Sequence, residues 1–432
     1  MSQFSSLKSY PVSVASQDIP SAWLSSTAPR VAPCGKKIVS IASQNGTQGP
    51  SGTLSFLLPS NMGAGMLASG SAYIRATITI TQLTAAGFNF KQYGSASSII
   101  NRMTFLASGS IVEQILNYNK LYSSLLLHAS SPQFATNDDK VSQGTFSGAT
   151  FDGSTGVNPV VQVCIPILLG AFNSKQHLPL FLLNSAQLNV DLDTLNESIC
   201  QVNANAVSDY SVSNAQLVFE QLTPDAAYEA GMKQMLSQRL FQLPINTFYN
   251  VKVASSAGLV QNIGLNCSSL RAVLWNQVLD ADKVLLGSGA FVANGQTQAQ
   301  LYLDGQLVFQ GTLDTVDGSQ QCFMEMNRAL NIMYDSNVVS CAPTQYTTAN
   351  AVADDFTLSA TGITRGLYKA GAYLGGISTQ KSSEDGFTFV GVPCNTAVLQ
   401  LTGLTAAATT FIYCALQQVI TIDQQGSASL IR

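Results

Sequence analysis

The chain has 432 residues, a formal net charge of −4 and only 10 % charged residues, against roughly 25 % in an average soluble protein. The absence of any basic run argues against strong direct nucleic-acid binding, and no stretch reaches the ~18 consecutive apolar residues of a membrane span. Hydrophobic residues make up 46 %, so the surface must expose neutral polar groups and apolar patches, which favours association over a solitary monomer.

The length allows two or more domains with full cores. The first residues, Met1 to Lys8, lack the apolar core of a secretory signal. Residues 1–51 read as an N-terminal arm in which Pro11, Pro20, Pro29, Pro33 and Pro50 interrupt regular structure. Lys8, Arg30, Lys36 and Lys37 give it a mild positive bias. Two readings stand for it: a floppy tail, or an arm that orders against a neighbouring subunit or an inner surface.

A first β domain is predicted over 52–222. Residues 54–58 make a short apolar strand, and 73–81 alternate with Ile74, Ala76, Ile78 and Ile80 on one face. Residues 101–107 place Met103 and Phe105 opposite Arg102 and Thr104, Ser108-Gly109 turns the chain, and 111–116 runs back. Tyr118, Leu121, Tyr122 and Leu125 then predict an amphipathic helix over 117–129. Residues 131–158, rich in Gly, Ser and Asp, are too long for a simple connection and predict an exposed loop. A buried strand at 160–169, a strictly alternating strand at 186–192 and a long strand at 211–222 complete the domain.

Thr223-Pro224-Asp225 reads as N-cap, proline at the first helical position and an acid near the helix dipole. A linker helix is therefore expected within 223–245. The second β domain is placed at 246–424, with strands at 247–253, 270–275, 301–309, 368–374, 387–390, 398–401 and 411–422. Its hairpin turns on Asp304-Gly305, a strong turn signal. A helix over 320–333 follows from Phe323, Met326, Leu330 and Met333. Residues 425–432 are left as a short polar tail. The hairpin-and-helix unit thus occurs twice, nearly half the chain apart. The expected fold is all-β: two tandem eight-stranded antiparallel jelly-roll sandwiches with a few short helices.

Chemistry is hard to find. A Ser-His-Asp arrangement would need His128 or His177, and neither has distinctive surroundings. The acid pairs Asp138-Asp139, Asp191/Asp193, Asp280/Asp282, Asp354-Asp355 and Glu384-Asp385 could serve glycoside hydrolysis or bind an ion, yet none carries the glycine and terminal glutamate of a calcium loop. Gly63-Ala64-Gly65 and Gly375-Gly376 match no phosphate loop and read as turns or bulges. Three Asn-x-Ser/Thr sequons begin at Asn45, Asn196 and Asn266, without a secretory context to give them weight. None of the eight cysteines forms a C-x-x-C pair; they read as scattered small hydrophobes, with a disulfide or two left open. The reading names no catalytic residue, no cofactor and no metal site, and expects no enzyme.

Three segments in series carry a resemblance: Ile165-Pro166-Ile167-Leu168-Leu169-Gly170, then His177-Leu178-Pro179-Leu180, then the alternating strand 186–193. Together with the hairpin and helix upstream and the closing strand downstream, they resemble the first jelly roll of the double jelly-roll major capsid proteins of tailless icosahedral viruses. Among these, small membrane-containing bacteriophages are the nearest in character, because the chain is compact and free of large insertions. The resemblance implies two upright barrels per subunit, trimers of pseudo-hexagonal outline, and an icosahedral shell, often over an inner lipid membrane. It implies partners of three kinds: further copies of the chain, minor capsid or vertex proteins, and an inner membrane met by the N-terminal arm, with the 131–158 loop facing outward. The protein would then be a virion component made in the host cytoplasm. The alternative from the residues alone is a β-sandwich carbohydrate-binding adhesin or spike protein. A glycan hydrolase acting through Asp191 or Asp193 is a third.

Overall fold

The computed structural model describes residues 34–83, 88–91, 95–130, 142–143, 159–201, 207–236, 240–285, 289–309, 312–314, 320–332, 356–359, 362–365, 373–380 and 391–431. The 131–158 loop (apart from 142–143), the predicted strand at 387–390 and most of the one at 368–374 lie outside these residues, as do Cys341 and three of the acid pairs.

Period-two alternation builds the first barrel, because every second side chain of a strand points to the same face. Its strands are β1 (Cys34–Ala42), β2 (Thr53–Leu58), β3 (Met66–Leu67), β4 (Tyr73–Gln82), β5 (Phe88–Phe90), β6 (Ile100–Ala107), β7 (Ser110–Leu116), β8 (Val160–Pro166), β9 (Leu178–Pro179), β10 (Ala186–Leu192), β11 (Ile199–Gln201) and β12 (Val207–Pro224). Helices α1 (Tyr118–Ala129), α2 (Gly170–Asn173) and α3 (Leu195–Ser198) are interspersed. In β4 the predicted face of Ile74, Ala76, Ile78 and Ile80 is buried, and in β10 so are Ala186, Leu188, Val190 and Leu192. The eight longer strands form two antiparallel layers. One runs β1–β12–β4–β8, the other β2–β10–β6–β7. That is the jelly-roll arrangement, closed around one hydrophobic core.

The β6–β7 hairpin turns on Ser108 (φ 51°) and Gly109 (φ 76°). Two consecutive positive φ values make the tight turn whose twist matches the flanking strands. Helix α1 starts at once after it, from Asn117 in the left-handed region.

After β12 comes α4 (Ala226–Met235), and then the second barrel. Its strands are β13 (Phe241–Ser255), β14 (Gly258–Leu279), β15 (Gln298–Leu303), β16 (Gln306–Leu307), β17 (Leu313–Asp314), β18 (Phe356–Ser359), β19 (Gly362–Arg365), β20 (Gly375–Ser378), β21 (Val392–Thr402), β22 (Ala408–Ile422) and β23 (Ala428–Ile431), with α5 (Gln320–Ala329) between β17 and β18. The same plan recurs, with one strand taking two places. The second half of β14 lies between β22 and β20, giving the layer β13–β22–β14–β20. Its first half pairs with β21, giving β14–β21–β15–β16. The ladder between β14 and β21 breaks twice between Gly264 and Leu270, and such bulges are how a strand turns a corner from one layer to the other. Asp304 (φ 47°) and Gly305 (φ 81°) make the β15–β16 turn, and the Asp304 carboxylate accepts from the N–H groups of Asn395 (3.1 Å) and Thr396 (2.8 Å).

Several boundaries differ from the sequence reading. The arm assigned to 1–51 contains β1, the first strand of the barrel, paired with β12 over nine residues from Cys34↔Pro224 to Ala42↔Gln216. Lys36 and Lys37 disguise it as a polar segment; they are tolerated because its outer face is exposed. Thr223 and Pro224 end β12 instead of opening the linker helix, and Asp225 occupies the N-cap. A proline fits there because it closes a strand. The linker helix is shorter than 223–245, since β13 begins at Phe241. The polar tail 425–432 contains β23, which pairs with β22. Tyr373 and Leu374 precede a strand instead of ending one, and Gly375-Gly376, read as turn or bulge, lies within β20. The reason is Trp275, the cross-strand partner of Gly375. A Cβ on Gly375 would come within 2.5 Å of Trp275 Nε1, and one on Gly376 within 2.8 Å of Leu274 Cδ2. The glycines leave the room that the indole and α5 fill, as aromatic cover does for strand glycines.

Candidate functional site

The residues considered for catalysis are occupied structurally. His128 is buried in the last turn of α1, and His177 Nδ1 accepts the Ser69 N–H at 3.1 Å. Asp191 and Asp193 both line a rim pocket of about 380 Å³ with Thr53, Arg102 and Thr194, but each carboxylate is engaged by its own partners. Asp191, on the rim of β10, accepts from the Thr53 hydroxyl at 2.6 Å and pairs with Arg102. The β10–β6 register then shifts between Asp191 and Leu192, and Asp193 turns inward. It accepts from Asn119 Nδ2 and from the Thr194 N–H, both at 2.8 Å. Burial pushes its carboxyl above the ordinary range, against the pull of Lys120. Asp280 pairs with Lys283 three residues on. Among the described residues no three His, Cys, Asp or Glu side chains are grouped to hold a metal ion, and none of the seven described cysteines is in a disulfide.

The chemistry instead lies along the seam between the barrels. Lys91 is buried and donates to the carbonyls of Asp282 (3.0 Å) and Val284 (2.8 Å) in the second barrel. Burial and the neighbouring Lys120 bring its ammonium down to about 8. Lys120 meets Glu197 at 2.9 Å. Burial pushes Glu197 up, but the charge and hydrogen bond of Lys120, with the charges of Lys252 and Lys91, together outweigh it and hold the carboxyl below its ordinary value. Asn276 Nδ2 donates to Ser124 Oγ at 2.6 Å, and Asn250 donates to the Leu116 carbonyl. The Gln201 N–H reaches the Leu285 carbonyl at 2.7 Å.

Glu113 anchors a second part of the seam. It is buried on β7 and accepts the N–H groups of Gly170 (2.7 Å) and Ala171 (2.9 Å) at the start of α2. A Cβ on Gly170 would come within 3.1 Å of Ile245 Cβ, so α2 sits directly on β13. Burial pushes the Glu113 carboxyl up, while its hydrogen bonds from Thr247, Ala171 and Gly170 pull it back. Beside it lies a groove of about 490 Å³ lined by β7, β13 and the segment 427–430. The sequence reading missed this seam. Its one local signal was a glutamate where β7 should be apolar, between Val112 and Ile115.

The outer surface offers a different feature. β1 forms its ladder with β12 on one side only among the described residues. Ile38, at its middle, is 73 % exposed, the highest value among the large exposed hydrophobics. A long, half-paired strand with an apolar centre is a template for pairing with another chain.

No protein-family profile matches the chain, and no curated protein matches it. Solved structures do. The Faustovirus major capsid protein superposes with a TM-score of 0.61 at 7 % identity, over 95 % of this chain and 94 % of that one. The PBCV-1 virus capsid gives 0.58 at 15 % identity, over 95 % and 99 %. The mavirus major capsid protein gives 0.53 at 11 % identity, over 96 % and 95 %. Taken with the paired four-layer topology above, these likenesses identify the chain's architecture as the double jelly roll found in viral major capsid proteins.

Proposed function

We propose that this protein is a structural, non-catalytic major capsid subunit that self-associates as trimers of pseudo-hexagonal outline, which tile an icosahedral shell. The observation that carries this reading is the whole-length likeness: two barrels and little else, over more than nine-tenths of both chains, shared with major capsid proteins. The physics supports it. Two similar barrels per chain give six around a three-fold axis, so one gene product fills near-hexagonal tiles. The sparse charge suits large contact surfaces repeated many times, where modest contacts add through multivalency.

In this reading the barrels of about 52–222 and 246–424, the first extended by β1, stand side by side on the seam. The seam residues make each subunit one stiff tile. The segment before β1 points inward, toward neighbouring copies or an inner membrane, and the 131–158 loop points outward. Minor capsid or vertex proteins complete the shell. The protein resides in the virion after synthesis in the host cytoplasm.

The test is the mass in solution by light scattering, followed by negative-stain imaging. A particle of three times 45.7 kDa with a triangular or hexagonal outline is expected. A monomer at high concentration would overturn the proposal. An Ile38→Glu variant should keep its fold, since exposed sites away from special features change stability by only about 0.5 kcal/mol, and should assemble beyond the trimer less readily. Unchanged assembly would remove β1 from the contact surface.

A further inference from the structure

The corner of β14, where the strand passes from one layer of the second barrel to the other, holds a feature that the capsid reading does not use. Between the two breaks in the β14–β21 ladder a single residue pair remains in register, and both members are cysteines: Cys267↔Cys394. The nearest paired residues on either side are Gly264↔Thr396 and Leu270↔Val392. Directly opposed residues of antiparallel strands have Cα atoms roughly 4.5–5.5 Å apart. That lies within the roughly 4.4–6.8 Å that a disulfide spans. Both residues are buried and neither is in a disulfide.

We propose that Cys267 and Cys394 are a site of oxidative modification, closing an intrachain disulfide across the corner of the second barrel when the protein meets a small-molecule disulfide such as oxidised glutathione. The step balances. One cysteine loses its proton to solvent, and its thiolate attacks the glutathione disulfide, forming a mixed disulfide and releasing one glutathione thiolate, which is protonated. The second cysteine, deprotonated in turn, displaces the other glutathione. Two protein thiols are oxidised by two electrons, and one oxidised glutathione becomes two reduced ones.

Local structure says why the link would form here. The ladder is interrupted on both sides, so the corner lacks the regular hydrogen bonds that hold the rest of β14. A covalent bridge would tie β14 to β21 across the sequence between Cys267 and Cys394, and long closed loops restrict the unfolded chain most. Cys414, the third buried thiol nearby, is not opposed to either residue; its partners in register are Val273 and Tyr249. Burial pushes the Cys394 thiol up to about 11 and raises Cys267 as well. Closure should therefore be slow at neutral pH and quicken as pH rises toward 9.

The experiment uses the full chain in its native assembly state. It is incubated with oxidised glutathione at pH 7 and pH 9, quenched with N-ethylmaleimide, unfolded, alkylated with a second reagent and digested without reduction. The expected product is a peptide pair linking Cys267 to Cys394, lighter by two hydrogens and absent from the reduced sample, with faster accumulation at pH 9. The exposed Cys34 should form a mixed disulfide with glutathione and reports that the oxidant acted. The Cys394→Ser variant should lose the linked peptide and leave Cys267 alkylated. If that variant does not fold, the parent's peptide map decides alone. Cys34 modified while Cys267 and Cys394 stay separately alkylated would overturn the proposal, as would a link from either to Cys414.

Discussion

Replacing Gly375 with alanine tests the account of why two glycines stand inside a strand. The added methyl would lie within 2.5 Å of Trp275 Nε1 and closer still to Cε2 and Cζ2. Trp275 has no room to retreat: it is fully buried, and its indole N–H donates to Gln296 Oε1 at 3.0 Å. Overpacking of this kind costs about 1–3 kcal/mol, and a buried indole N–H displaced from its acceptor costs about 1–3 kcal/mol more. The expected loss is therefore about 2–6 kcal/mol. Urea unfolding followed by tryptophan fluorescence reads it, because the chain has only two tryptophans, Trp23 and Trp275. The midpoint should fall and the native emission should shift. Adding Trp275→Phe should recover part of the loss, since the smaller ring lacks the indole edge that the methyl strikes, and contacting residues commonly couple by about 0.5–3 kcal/mol. A Gly375→Ala protein within about 0.5 kcal/mol of the parent, with unchanged emission, would refute the reasoning.

Two further predictions concern the seam. Glu113 has a raised carboxyl pKa through burial, so the folded protein keeps a proton that the unfolded chain releases. That contribution is fully present below the unfolded value of 4.5 and is lost as pH rises through the folded one. Glu113→Gln turns an amide donor toward a backbone N–H and should be less stable by about 1–3 kcal/mol at pH 4, with the gap narrowing toward pH 8; a constant gap in urea midpoints would count against it. Lys91 behaves in the opposite sense, because its folded value of about 8 lies below the ordinary 10.5 of a lysine. Its contribution is present above 10.5 and is lost as pH falls through about 8. Compared with Lys91→Met, the parent should gain up to roughly 3 kcal/mol between pH 7 and pH 10.5, and parallel stability curves for the two proteins would refute it.

The alternating strands and the hairpin turns were legible in the sequence because their information is local. Leu188, Val190 and Leu192 announce their face by spacing alone, and Ser108-Gly109 and Asp304-Gly305 announce a turn by backbone freedom. The hidden elements depend on residues far along the chain. β1 reads as polar until β12 is beside it, and Gly375 reads as a turn until Trp275 is opposite. β14 was seen only as 270–275 because its first half alternates with Asn262, Gly264 and Asn266 on the exposed side, a pattern that resembles loop composition. The seam left even less trace. Lys91, Glu113 and Lys120 are single charges in apolar settings; only the second barrel supplies the carbonyls that Lys91 meets, and Glu113 finds its N–H donors 57 residues further along the chain.

The seam also sets a clock. The β6–β7 turn is held by the second barrel's far end: Ser108 Oγ donates to the Gly426 carbonyl at 3.1 Å, which also accepts the Asn184 N–H at 3.1 Å. Ser108 and Gly426 are 318 residues apart. At a synthesis rate of roughly 5–20 residues per second, the turn waits about 16–64 s for its partner. During that interval the first barrel can be complete while its seam face, with Lys91 still lacking the carbonyls of Asp282 and Val284, remains open to water. A hydrated Lys91 ammonium on that open face would oppose apolar contact between half-made molecules until the second barrel arrives.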